Sequence, residues 1–133
     1  MELHHIGIVC KENQIDKFYF KPKKKFIYHD KVQNNKLIIG FNKFNNLWME
    51  FVVPQNKNST VYNFLKKHGP GVHHFGYKTK KIDEKKKILK KKEGFFYVNS
   101  YTINVPCFGG LIKTIFFYNN NVIIELLENV DKK

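Results

Sequence analysis

At 133 residues, with 42% hydrophobic and 16% aromatic content, the chain can form one compact domain or two small modules that share a core. Its formal net charge of +13 rests on 24 basic residues, every one a lysine, against 11 acids. It contains no run of about eighteen apolar residues and so no membrane-spanning helix. The absence of arginine argues against a dedicated nucleic-acid binder, because arginine forks carry much of base and phosphate recognition.

An abundance of Lys, Asn, Ile and Phe is what an AT-rich coding sequence produces. The clusters Lys23-Lys24-Lys25, Lys85-Lys86-Lys87 and Lys90-Lys91-Lys92 are therefore read as solvated faces, although a coenzyme with phosphates can exploit such a field. The N-terminus passes directly into strand-like sequence, so no secretory leader is expected. Cys10 and Cys107 form no CxxC motif. Two free thiols in a cytoplasmic chain are expected, with a single long-range disulfide as the other option.

In chain order, residues 2–10 read as a strand and 12–20 as a short helix stopped near Pro22. Strand-like runs follow at about 25–30, 36–42 and 47–53, separated by turns that include Asn34-Asn35 and Asn45-Asn46. A polar linker from Pro54 leads to a helix over about 60–68, with Ser59 or Thr60 as its cap and Gly69-Pro70-Gly71 as its end. Residues 72–78 read as a strand, and 81–93 as a lysine-rich helix with Ile82 and Leu89 turned inward and Gly94 as its stop. Three more strands follow at about 95–103, 111–118 and 121–128, the last two joined at Asn119-Asn120-Asn121, because Asn tolerates positive φ. The order β-α-β-β-β thus occurs twice, which predicts an α+β fold. Module 1 spans about 1–54, a linker helix about 58–69 and module 2 about 71–130, in a single domain over 1–133.

The repeat extends to residues that carry chemistry. Leu3-His4-His5-Ile6-Gly7-Ile8 opens the first module and Val72-His73-His74-Phe75-Gly76-Tyr77 the second. About fifty residues after each comes an acid in apolar sequence, Met49-Glu50-Phe51 and Ile124-Glu125-Leu126. Alternate side chains of a strand share a face, so His5 goes with Gly7 and His74 with Gly76. A carboxylate in the middle of an apolar strand is costly to bury without a partner. A divalent cation held by two imidazoles and two carboxylates removes that cost and leaves positions open for water or substrate, a donor set that suits Zn²⁺, Ni²⁺, Co²⁺, Mn²⁺ or Fe²⁺. Taken singly, a buried His is commonly a hydrogen-bonded core residue and a strand Glu commonly faces solvent. The same residues in the same order in both halves favour the metal. Spacing does not decide which His of each pair binds.

These phrases make the chain resemble the vicinal oxygen chelate superfamily, the glyoxalase and bleomycin-resistance fold. The closest resemblance is to methylmalonyl-CoA epimerase-like proteins. The matching text runs from Leu3 to Val9, through Met49-Glu50-Phe51-Val52-Val53-Pro54, Ser59-Thr60-Val61 and Phe64-Leu65, to His73-His74-Phe75 and Ile123-Ile124-Glu125-Leu126. The resemblance implies two βαβββ modules forming an open, cup-shaped mixed sheet around one divalent metal, with His5, Glu50, His74 and Glu125 as ligands. His4 and His73 are then left to pack or to hydrogen-bond behind the site. Cys107-Phe108-Gly109-Gly110 resembles the Gly-rich loop of the epimerases, which could shape the mouth of the cup.

The resemblance further implies a metal-stabilised enolate of an α-carbonyl acid or acyl thioester, with Glu125 as first and Glu50 as second candidate for the base. The partners it implies are a small-molecule substrate such as an acyl-CoA, and a second copy of the chain in a homodimer. One difference stands out. Bacterial epimerases carry an additional catalytic Glu on the strand before the second ligand, whereas Lys36-Leu37-Ile38-Ile39-Gly40-Phe41 contains no acid. The His, Glu, His, Glu set is shared with glyoxalase I, so a lactoylglutathione lyase or another thiol-adduct lyase is the alternative. A non-catalytic ligand-binding or resistance protein of the same fold is a further one.

Overall fold

The computed structural model describes residues 1–18 and 24–130. Pro22 and Lys23 lie outside them. Eight strands and two α-helices make an α+β chain with a mixed sheet, β1 (Glu2–Val9), β2 (Phe26–Asp30), β3 (Asn35–Asn42), β4 (Leu47–Pro54), α1 (Tyr62–His68), β5 (Gly71–Lys78), α2 (Ile82–Lys91), β6 (Phe95–Val105), β7 (Gly110–Asn119) and β8 (Val122–Asn129). The strand order is β2-β3-β4-β1-β5-β8-β7-β6. No helix among the described residues is long and apolar enough to cross a membrane. The chain falls into two compact units, His5–His73, and Met1–His4 with His74 onward.

In the unit His5–His73, β1 runs parallel to β4, β4 antiparallel to β3, and β3 antiparallel to β2. Strand alternation sorts the side chains. Ile8, Ile38, Met49 and Phe51 pack with Cys10 and Ile15 in a buried cluster, while the residues between them point to the other face. Asn34 and Asn46 take the left-handed conformation that closes the two turns, at φ 58° and 57°.

The expected helix at 12–20 is instead a 3-10 segment, Glu12–Lys17. Ile15 is the buried residue of this segment, which ends where Phe18 turns extended, at φ −78° and ψ 150°, and lays its ring 5.7 Å from that of Phe51 in the same core. Gln14 closes its start by accepting the Lys11 N–H at 2.8 Å. The linker also differs from expectation. Helix α1 starts after Val61 with no side-chain cap. The Ser59 hydroxyl accepts the Val61 N–H at 3.1 Å and donates to Asn35 Oδ1 at 2.5 Å. Thr60 donates to Gln33 Oε1 at 2.8 Å. Ser59 and Thr60 therefore fasten the linker to the turn ahead of β3 and do not cap the helix.

The second unit repeats the pattern. β5 runs parallel to β8, β8 antiparallel to β7, and β7 antiparallel to β6. Ile115, Phe117 and Leu126 bury against Ile82 and Leu89, the two inward residues of α2. Lys81, just before α2, is left-handed at φ 54° and supplies no cap. Glu128 on β8 does so from a distance, accepting the Lys81 N–H at 2.8 Å and the Ile82 N–H at 3.3 Å. Asn120 and Asn121 both have positive φ and form the two-residue turn from β7 to β8. On the outer surface, Lys86 and Lys90 place their ammonium groups 4.7 and 4.6 Å from the centre of the Tyr97 ring.

Candidate metal centre

The two parallel strand pairs have one register. Across β1 and β4, Gly7 faces Glu50 and His5 faces Trp48. Across β5 and β8, Gly76 faces Glu125 and His74 faces Ile123. Laterally paired residues share a face of the sheet, so each Glu lies on the face of the His two residues before its glycine partner. A glycine has no side chain to compete, which leaves room for the carboxylate to lie across the strand. The neighbours of each Glu, Met49 and Phe51 or Ile124 and Leu126, turn to the apolar side. That is why an acid is tolerated in the middle of an apolar strand.

All four side chains are withdrawn from solvent, with His5 0%, Glu50 8%, His74 3% and Glu125 8% exposed. In the second unit, His74 Nε2 lies 3.2 Å from Glu125 Oε1. Two donors each about 2.1 Å from a shared ion, at angles between octahedral and tetrahedral, are about 3.0–3.4 Å apart. The pair thus fits joint ligation as well as it fits a hydrogen bond. The other Glu125 oxygen, Oε2, accepts the Thr114 hydroxyl at 2.5 Å. One candidate ligand atom from each of His5, Glu50, His74 and Glu125 falls within 4.8 Å of the others, a group able to hold a metal ion. The donor set, two imidazoles and two carboxylates, suits a borderline divalent cation.

His4 and His73 point to the opposite face by alternation. The His4 ring meets Phe108 edge-on at 4.5 Å, and the His73 ring meets Phe64 edge-on at 5.0 Å. Cys107 and Phe108 belong to a 3-10 turn, Pro106–Phe108, followed by Gly109 and Gly110 at φ 107° and 118°. Within its unit this loop serves to seat Phe108 on His4. Neither Cys10 nor Cys107 is joined in a disulfide.

The stretch 36–41 places Leu37 and Ile39 on the face of Glu50, since Ile39 pairs with Glu50 and Leu37 with Val52. No acid stands there. Asp30, the last residue of β2, is buried. Its Oδ1 accepts the N–H groups of Val32 at 3.0 Å and Gln33 at 3.2 Å. Asp30 shapes a turn. Thr114 is the site residue that sequence reading missed, because a Thr in an apolar strand is an ordinary β-former and signals nothing by itself.

Several solved structures share this fold. A methylmalonyl-CoA epimerase from Mycobacterium tuberculosis superposes with a TM-score of 0.75 at 18% identity, covering 97% of this chain and 88% of its own. A hypothetical protein from Bacillus halodurans also has a TM-score of 0.75, at 22% identity, with 99% and 96% covered. A methylmalonyl-CoA epimerase solved in complex with methylmalonyl-CoA and NH4+ gives 0.71 at 18% identity, with 97% and 94% covered. At such identities the likeness is one of fold. No curated protein matches the sequence. A family model does match, over residues 4–104, from the first His-His phrase through the second and into β6. The chain belongs to the glyoxalase/bleomycin resistance protein/dioxygenase superfamily.

Proposed function

We propose that the chain is a metal-dependent isomerase or epimerase that moves a proton on the carbon beside a carbonyl, in an α-carbonyl acid or acyl thioester, as methylmalonyl-CoA epimerase does. The observation that carries this reading is the duplicated register, which sets a buried His and a buried Glu on one face in each half. His5, Glu50, His74 and Glu125 are the proposed ligands. When bound, a divalent cation acts as a Lewis acid for the negative charge that develops on a substrate oxygen. The imidazoles donate as neutral groups and fix the direction of approach. Glu125, and after it Glu50, would take the proton and return it, either one by loosening from the metal as substrate enters. The apolar strand residues around them exclude water, which strengthens every charge interaction inside.

An acyl thioester is favoured as substrate because superfamily structures of this fold have been solved with methylmalonyl-CoA and with 2-nitronate-propionyl-CoA. Pairing of two chains and a cytoplasmic setting belong to the same proposal, to be tested by sedimentation and by cell fractionation. For the activity, protein purified without a chelating tag is analysed for metal and then incubated with methylmalonyl-CoA in D₂O. Stoichiometric metal and deuterium at the α-carbon are expected. A metal ratio near zero, or no exchange with any acyl-CoA or α-keto acid, overturns the reading.

A second reading, a glyoxalase I-like lyase, is favoured by one feature. The face of β3 beside Glu50 offers Leu37 and Ile39 and no further acid for a two-base transfer. Formation of S-lactoylglutathione from the methylglyoxal–glutathione adduct distinguishes it.

A further inference from the structure

The two oxygens of Glu125 face different partners. Oε1 lies 3.2 Å from His74 Nε2, and Oε2 accepts the Thr114 hydroxyl at 2.5 Å. Thr114 sits on β7 opposite Leu127, two residues from the Phe116 that pairs with Glu125, so its side chain and the carboxylate share a face. It is 1% exposed, and β-branching restricts its χ1. Burial and this restriction together limit where the hydroxyl can turn. An O–H···O⁻ bond of this length is of the charge-assisted kind and is stronger than a neutral one.

The same face of β7 also backs the imidazole. The Phe116 ring meets His74 edge-on at 6.0 Å and is stacked by Tyr101 at 6.0 Å and 9°. The corresponding register position in the first unit, two residues before the partner of Glu50, is Leu37, which has no hydroxyl to give.

We infer that Thr114 is a positioning residue for the cation site, holding Glu125 through Oε2 so that Oε1 alone is presented, beside His74. This rests on the metal reading above. The carboxylate is thereby a one-oxygen ligand in a fixed rotation, and the strand that carries Thr114 and Phe116 orients both ligands of the second half.

The test uses Co²⁺ as probe on the full chain, with affinity measured by competition against a chromophoric chelator and geometry read from the visible spectrum. Thr114→Val keeps the shape and removes the hydroxyl, and Thr114→Ser keeps the hydroxyl. Thr114→Val is expected to weaken Co²⁺ binding about 10- to 100-fold. It is also expected to alter the Co²⁺ spectrum as Glu125 becomes free to rotate, and Thr114→Ser is expected to restore both. Thr114→Ala removes the hydroxyl without apolar bulk and serves should the valine variant fail to fold. A Val or Ala variant that binds Co²⁺ with wild-type affinity and spectrum overturns the role of Thr114, as does a Ser variant that folds but behaves like the valine. A wild-type chain that takes up no Co²⁺ overturns the metal reading itself.

Discussion

In both halves of the chain a glycine faces a glutamate across a parallel strand pair, Gly7 with Glu50 and Gly76 with Glu125. The surroundings differ. The second half backs its carboxylate with the Thr114 hydroxyl and its core with α2, which buries Ile82 and Leu89 and has its first N–H groups taken by Glu128. The first half has Leu37 at the position of Thr114 and a 3-10 segment with only Ile15 buried in place of the helix. What repeats is what strand register dictates, since a one-residue slip would turn His and Glu into the apolar core. What differs lies outside that constraint. The halves are thus alike in which residues they offer a cation and unlike in what stands at the register position beside each carboxylate, Leu37 or Thr114.

The largest expected effect tests the likeness. If both halves serve one ion, His5→Ala and His74→Ala must each abolish stoichiometric metal uptake, read by elemental analysis of the purified variants. Retention of a full equivalent by either one would break the comparison, leaving a site built from a single half. Next come the carboxylates. Glu125→Gln and Glu50→Gln are each expected to slow deuterium incorporation at the substrate α-carbon. Loss of a positioned general base costs about 10²- to 10⁴-fold, so the variant with the larger loss identifies the proton acceptor. Equal losses through metal release would appear in the metal content of the same samples.

Stability sharpens the contrast between the supports. Phe51 and Phe117 are both fully buried, one in each core. Phe51→Ala and Phe117→Ala are each expected to cost about 3–5 kcal/mol in urea unfolding, so the cores themselves are comparable. The difference appears at Glu128. Glu128→Ala removes the acceptor for the first donors of α2 and is expected to cost about 1 kcal/mol, the scale of a lost helix cap. Glu128→Gln keeps one acceptor oxygen for the two N–H groups, which use different oxygens of Glu128, and should recover only part of it. If Glu128→Ala leaves the unfolding midpoint unchanged, α2 is held by Ile82 and Leu89 alone.

Much of this was legible beforehand because it depends on local pattern. Alternation around Glu50 and Glu125, the paired His-Gly spacing and the Asn turns all act within a few residues, and the eight strands follow from them. The second His of each pair could be told from the first only by resemblance, and here the register puts His5 and His74 on the faces of the two glutamates. What sequence reading missed depends on partners distant in the chain. Ser59 reads as a helix cap until Asn35, 24 residues away, is seen to take its hydrogen. Asp30 ends a strand, and the turn that folds back onto its carboxylate is not visible as a periodicity. The expected helix stops at Lys17, where Phe18 turns extended and packs on Phe51, a partner distant in the chain that no local periodicity reveals. Thr114 acts across a hairpin, 11 residues from Glu125.

The smallest effect concerns the two thiols, which divide in the same way as the halves. Cys10 lies fully buried in the first core beside Ile8, Ile15 and Phe51, and burial pushes its pKa from 9.0 up to about 11. Cys107 is partly exposed in the turn before β7. The folded state holds the Cys10 proton more tightly than the unfolded chain does, so this contribution to stability is complete below about pH 9. It fades as pH rises towards about 11, once the unfolded thiol ionises first. Lysines and tyrosines titrate over the same range, so the measurement has to be a difference. Urea midpoints of the wild type and of Cys10→Ala are compared at about pH 8 and at about pH 10.5. The advantage of the wild type over the variant should shrink at the higher pH. A gap for Cys10 that is the same at both pH values would mean that water reaches the thiol in the folded state, and that the first core is more open than its burial indicates.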